Sequence, residues 1–166
     1  MSKNKVRVGV FMGGMSIERE VSFNSGRTVY DHLDTENYCS IPIFQTFENR
    51  LFILPLRFLH RGKISDFEHR LTQEAEEITW DDLKNIVDFV YIAMHGRYAE
   101  DGTLQGFLEI LGIPYLGSKI FGSALGMNKI LQKTFLRNAG IAIPKYIWMK
   151  AHEIKNIQSK NILEKM

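Results

Sequence analysis

"VRVGVFMGGMSIEREVS", residues 6–22, decides how the rest of the chain is read. Val6–Phe11 is a short β-branched run, and Gly13 and Gly14 end it. It therefore reads as a buried strand that breaks into a tight turn. A strand followed by glycines has the outline of a phosphate loop, but no third glycine and no Gly-Lys-Ser/Thr follow. Instead come two glutamates around an arginine: Glu18, Arg19 and Glu20. A helix N-terminus offers free N–H groups and partial positive charge, which suit a carboxylate. A glutamate beside it suits an ammonium. A site offering both matches the two ends of an amino acid, whereas a nucleotide phosphate would be repelled by Glu18 and Glu20. The plainer alternative is that acidic residues in a first helical turn merely offset the helix dipole.

Working outward, helical spacing from about Val21 to Leu33 puts Val21, Val29, Tyr30 and Leu33 on one face. Cys39–Phe44 ("CSIPIF") reads as a second strand, with Pro42 arguing for an edge position or an early stop. Residues 45–83 read as an irregular excursion with one short helix. Within it "RLFILPLRF" suggests a strand or hairpin arm interrupted by Pro55, and mixed charges form a solvated face. Val87–Met94 is the next strand, followed by "HGRYAEDG". Thr103–Leu111 is a helix with Leu104, Phe107, Leu108 and Leu111 on one face, and Asp101 is a candidate cap. A short strand, Ile113–Leu116, precedes a short helix through Met127 capped by Ser118. Asn128 caps a further helix, Lys129–Asn138, which stops at Gly140. Ile141–Met149 is extended, and Lys150–Met166 is a polar, lysine-rich tail with helix-like spacing.

Strands alternating with helices of about ten residues predict an α/β fold: a doubly wound, mostly parallel sheet with helices on both faces. Ligands of such folds bind beyond the carboxyl ends of the strands. "GGMSIERE" and "HGRYAEDG" both follow strands directly, so both belong on that edge. His95, at a strand end, is a candidate donor to a bound carboxylate; a structural role is the alternative. Lys129 places a cation in the first turn of a helix, against the dipole, which points to a task such as holding a phosphate. A solvated lysine is the alternative there.

The 166 residues suit one domain and part of another, and 45% hydrophobic residues suffice for a globular core. A net charge of +2 gives no reason to expect a nucleic-acid or membrane partner. The lone cysteine, Cys39, forms no internal disulfide and reads as a small buried core residue, in keeping with a reducing compartment. "MSKNKVRVG" has no apolar signal core, and the longest apolar run, Phe89–Met94, is far short of a spanning helix. A cytoplasmic protein is the expectation.

Three stretches together, "GGMSIEREVSFNSG", "HGRYAEDGTLQGFLEILGIPYLGS" and "SALGMNKILQKTFLRNAGI", resemble the N-terminal part of the D-alanine–D-alanine ligases. The resemblance covers about Val6–Tyr146 apart from the excursion, and its most specific block is the "HG…EDGT.QG" run. It implies a pre-ATP-grasp, Rossmann-like domain of an ATP-grasp enzyme. Such enzymes phosphorylate one D-alanine with ATP and magnesium and join it to a second, giving a dipeptide precursor of peptidoglycan. By resemblance, Glu18 holds the ammonium of the first D-alanine and has a catalytic, orienting role. Val21, Ser22 and His95 complete the substrate pocket, with His95 near the carboxylate, and Lys129 contacts ATP phosphates. A homodimer is implied too.

Two residues depart from the family pattern. Ala99 stands where His-Gly-x-x-Gly-Glu-Asp-Gly has its middle glycine, so a positive φ there would cost about 1 kcal/mol. Asn128 stands where an aspartate usually precedes the lysine. Nothing like the family's "VKP…GSS" or acidic "E-x-N" run follows Met149. The expectation is a substrate-binding domain over residues 1–149 and the start of a central domain over 150–166. Such a chain would be inactive alone and would work with the remaining ATP-grasp domains in cis or in trans. A truncated ligase, an isolated domain or one piece of a split gene would each fit. The choice of D-alanine, D-lactate or D-serine as second substrate is not encoded in this part. The rival is a non-catalytic binding or assembly module that kept the fold.

Overall fold

The residues of β1 (Val6–Gly13) are apolar on both faces: Val8, Val10 and Met12 enter one core and Phe11 the other. A strand covered on both sides reads as a continuous apolar run, which is the pattern of "VRVGVFM". The computed structural model describes residues 4–60, 62–150 and 152. It divides into two compact units, Met1–Ala124 and Leu125–Met166.

In the first unit, β1 is followed by α1 (Arg19–His32), β2 (Tyr38–Gln45), β3 (Leu51–Ile53), α2 (Leu56–Leu59) and α3 (Ile64–Phe67). A 3₁₀ turn at Glu68–Arg70 leads into α4 (Leu71–Glu74), β4 (Glu76–Ile78), α5 (Leu83–Ile86), β5 (Phe89–Ile92), α6 (Thr103–Leu111) and β6 (Tyr115–Leu116). The six strands form one sheet in the order β4-β3-β2-β1-β5-β6. β1 runs parallel to both β2 and β5, β5 is parallel to β6, and β3 is antiparallel to β2 and β4. Phe23 of α1 covers one face, together with Phe58, Phe67 and Leu71. Leu83, Leu104 and Leu108, from α5 and α6, cover the other. The mostly parallel sheet with helices on both faces is therefore the observed fold. Chain order reverses between β1 and β5, so the crevice for a ligand opens beyond their carboxyl ends. At the opposite end, Arg7 donates to Asp88 at 2.6 Å and holds its carboxyl down at about 2, which fixes β1 beside β5.

Four expectations are corrected. The excursion over 45–83 is no irregular appendage: it supplies β3 and β4 and buries Leu51, Phe52, Leu54, Phe58, Leu59, Ile64, Phe67, Leu71 and Ile78. Its charges pair among themselves, as in Arg50–Glu77 and Arg57–Glu74, which hides the apolar set from a composition reading. Pro42 lies in an interior strand, because β3 pairs only with residues 43–45. Its carbonyl accepts from Leu54 N–H at 3.0 Å, just past the end of β3, so its missing N–H falls outside that ladder. Cys39 is exposed, because β2 begins outside the layer of helices and only its last four residues are buried. Val21 is exposed too; α1 turns Ser22, Phe23 and Gly26 to the sheet, and one residue back along a helix is about 100° away.

Ala99 has no positive φ; the left-handed residue of this turn is its neighbour Tyr98, at φ 71°. Ala99 is instead buried in the second core. Ala99→Gly, which restores the family residue, is therefore expected to lower stability by about 1 kcal/mol through lost apolar burial and added unfolded-state entropy. Urea titration checks this. A gain in stability would mean that the turn needs glycine at 99 after all.

α7 (Ile120–Met127) spans the division between the two units, and α8 (Lys129–Asn138) follows it in the second. Asn128 caps α8 as expected, its side-chain oxygen accepting from Leu131 N–H at 3.1 Å. The helix ends at Gly140, φ 75°, with Ile141 N–H bonded back to Leu136 O. The Tyr146 ring lies under Lys133 Nζ at 4.8 Å and Arg137 at 5.7 Å, which holds the irregular segment after Gly140 against α8. The helical tail expected over 150–166 lies, but for residues 150 and 152, outside the described residues. Among the described residues no helix is long and apolar enough to cross a membrane.

Candidate functional site

The turn after β1 and the turn after β5 are stitched together by serine hydroxyls. Ser16 Oγ donates to His95 O at 2.8 Å and accepts from Glu18 N–H at 3.1 Å. Ser22 Oγ accepts from His95 N–H at 2.9 Å and donates to Glu18 O at 3.0 Å. Both hydroxyls are buried, where an unmade hydrogen bond costs about 1–3 kcal/mol, so the two turns move as one piece. α1 comes close enough to do this because it has no side chain at Gly26: a Cβ there would lie 2.4 Å from Met12 Cβ on β1.

The three charged residues of "ERE" separate. Arg19 pairs with Glu68 and lies over the Phe44 ring at 5.9 Å. Glu20 accepts from Ile64 N–H at 3.1 Å. Both tie the start of α1 to the excursion. Glu18 occupies the N-cap position but makes no capping hydrogen bond with its side chain. Its carboxylate lies over Gly96 instead. A Cβ at residue 96 would be 2.5 Å from Glu18 Oε2, and φ there is 81°, so only glycine fits between the two turns.

His95 stands opposite. Its Nε2 is 3.0 Å from Ser25 Oγ, and its Nδ1 is 3.6 Å from Glu100 Oε1. Glu100 Oε2 accepts from Gly96 N–H at 2.7 Å. Asp101 closes the loop, accepting from Tyr98 N–H at 2.9 Å and Thr103 N–H at 3.0 Å. Burial pushes the Asp101 carboxyl up, but those donors outweigh it and leave it below its ordinary value. Asp101 thus serves the first turn of α6 although Gly102 is the N-cap residue.

Beside these turns lies a cavity of about 350 Å³, walled by Met15, Gln45, Trp80, Met94, Tyr98 and Phe107 among others. Gln45 ends β2 and Met94 follows β5, so the cavity opens on the same sheet edge.

Of the sequence-expected site residues, Glu18, Ser22 and His95 come together here, and exposed Val21 lies on the next residues of α1. Lys129 belongs to the second unit, where it is exposed and its Nζ donates to Gly126 O at 2.8 Å. Sequence reasoning missed Ser16 and Ser25. A signal existed for Ser25: it stands three residues after Ser22, on the same helix face.

The family model described as "D-ala D-ala ligase N-terminus" matches residues 7–118. A D-alanine–D-alanine ligase of Natranaerobius thermophilus is 36% identical over 159 residues, covering 90% of this chain and 43% of the relative. The solved D-alanine–D-alanine ligase of Coxiella burnetii superposes with a TM-score of 0.80 at 28% identity, over 97% of this chain and 49% of that one. The Bacillus anthracis ligase, solved in complex with ATP, gives 0.63 at 32% identity, over 98% of this chain and 43% of that one. The chain thus spans about two-fifths of the length of the curated relative.

Proposed function

Since the chain belongs to the D-ala D-ala ligase N-terminal family, we propose that it is the substrate-binding part of an ATP-dependent D-alanine–D-alanine ligase. The observation that carries this reading is the Glu18 carboxylate, free of capping duty and held over Gly96, facing the His95 turn across the β1/β5 crevice.

The chemistry follows from the two ends of an amino acid. Glu18 accepts hydrogen bonds from the ammonium of the first D-alanine and fixes its orientation. Such charge-assisted contacts contribute about 1.5–3 kcal/mol. His95 lies toward the carboxylate end. Ser22 acts at one remove, because its hydroxyl is spent on holding Glu18 and His95 in register. Exposed Val21 lends an apolar flank for the methyl group. With ammonium and carboxylate fixed at opposite ends, the methyl of one enantiomer alone meets that flank.

ATP supplies the phosphoryl group that activates the carboxylate. The residue here that fits a phosphate is Lys129, an exposed cation at the N-terminus of ten-residue α8. Magnesium belongs to the same reading, but among the described residues no group of three or more His, Cys, Asp or Glu fits a metal ion. The remaining ATP-grasp parts, in cis or in trans, a homodimeric assembly, a cytoplasmic location and use of the dipeptide in peptidoglycan complete the proposal.

The test joins this chain to the remaining part of a curated relative and follows phosphate release from ATP. The expected result is release that depends on D-alanine and not on L-alanine. Release indifferent to D-alanine would overturn the proposal.

A further inference from the structure

We propose that Ser25 is a positioning residue for the His95 imidazole, setting its orientation and tautomer. The proposal rests on the reading that His95 faces the substrate carboxylate, but its geometry stands without a ligand. The His95 backbone is pinned on both sides, its N–H on Ser22 Oγ and its carbonyl on Ser16 Oγ. That leaves the ring free to turn about its two side-chain bonds. Ser25 Oγ meets Nε2 at 3.0 Å, the one direct hydrogen bond to the ring among the described residues. The other ring nitrogen, Nδ1, faces Glu100 Oε1 at 3.6 Å.

The chemistry of the two partners selects a tautomer. An ionised carboxylate only accepts, so the proton of a neutral ring belongs on Nδ1, toward Glu100. Nε2 then carries a lone pair, and the Ser25 hydroxyl donates to it. Glu100 cannot turn away easily, because its second oxygen already holds Gly96 N–H at 2.7 Å. The Glu18 carboxylate lies against the neighbouring Gly96, on the adjoining turn. Among the described residues Ser25 is thus the one direct hydrogen-bond partner of the ring, and its donation to Nε2 favours the proton on Nδ1. A ligand carboxylate only accepts, so it can meet Nε2 only if the ring gains a second proton there, and Ser25 must then give up its own donation to that nitrogen.

The helix makes this possible. Ser22 and Ser25 lie three residues apart on α1, one bonded to the His95 backbone and the other to its ring. The close approach of α1 at Gly26 brings both within reach.

The test is a long-range ¹H–¹⁵N correlation spectrum of the imidazoles in the 166-residue chain at about pH 8, where an ordinary imidazole is neutral. His95→Gln assigns the signals. The expected wild-type result is a protonated Nδ1 and a pyridine-like Nε2. Ser25→Ala should move the ring toward protonated Nε2, and Ser25→Thr, which keeps the hydroxyl, should restore the wild-type pattern. A wild-type ring already protonated on Nε2 would overturn the proposal, and that measurement needs no variant to fold. An unchanged spectrum in folded Ser25→Ala would overturn it equally. No substrate enters the experiment, so its outcome is separate from that of the D-alanine-dependent phosphate assay.

Discussion

Phe67→Ala is expected to lower the stability of the first unit by about 3–5 kcal/mol, the usual cost of emptying a large buried aromatic site. Phe67 is 1% exposed. Its ring touches three others: Phe23 of α1 at 5.2 Å between centroids, Phe44 of β2 at 5.4 Å and Phe58 of α2 at 5.0 Å. Those three belong to elements far apart in the chain, so none can collapse into the void without dragging a helix or strand with it. Aromatic pairs also contribute beyond area burial. The loss is measured by urea unfolding with Trp80 as the probe, in a Trp148→Phe background. Trp80 stacks on Phe11 and meets Phe107 edge-on, so its emission reports this unit. A loss under 1 kcal/mol would mean that the segment over 45–83 is separable from the core.

That experiment bears on the part of the chain that its sequence describes least well. The segments "VRVGVF", "FVYIAM" and Thr103–Leu111 were legible because each has one dominant period and a clear stop signal. The parallel pairing followed from their alternation. Residues 45–83 offer no such period. Their helices are one turn long and their strands three residues, too short for periodicity to register. Their apolar residues, among them Phe58, Ile64 and Phe67, are diluted by arginines and glutamates that pair on the surface. Pro42 misled for a related reason: its effect depends on where β3 ends, which is a tertiary fact. At the candidate site, sequence reasoning put two turns on one sheet edge, and the structure brings those two turns together there. It named Ser22 but missed Ser16 and Ser25, which acquire their His95 partners only when β1 and β5 lie side by side. The residue pattern by itself did not separate Glu18 from Glu20; only the family resemblance singled out Glu18. The two differ by what lies beside α1, and that neighbour is the excursion itself.

Glu18→Gln is expected to lower kcat/KM of the joined ligase by roughly ten- to a hundredfold, the equivalent of one charge-assisted contact. Stability should change by less than about 1 kcal/mol. The two halves of this expectation have different grounds. The kinetic half follows from charge: glutamine keeps the shape that packs over Gly96 but turns one oxygen into a donor facing an ammonium. The stability half follows from what Glu18 does not do. It is exposed, and its side chain makes no capping hydrogen bond. Were it present only to offset the helix dipole, its loss would cost about 0.3–1 kcal/mol in the melting curve and nothing in turnover. Arg19 and Glu20 provide the contrast. Their side chains tie α1 to Glu68 and Ile64, so Glu20→Gln should act on stability and leave kcat/KM nearly unchanged. Kinetics of the joined enzyme and melting of the 166-residue chain, for both variants, separate the roles. If Glu18→Gln lowered stability and left kcat/KM intact while Glu20→Gln did the reverse, the amino-acid pocket would have to be rebuilt around Glu20 and the excursion it touches.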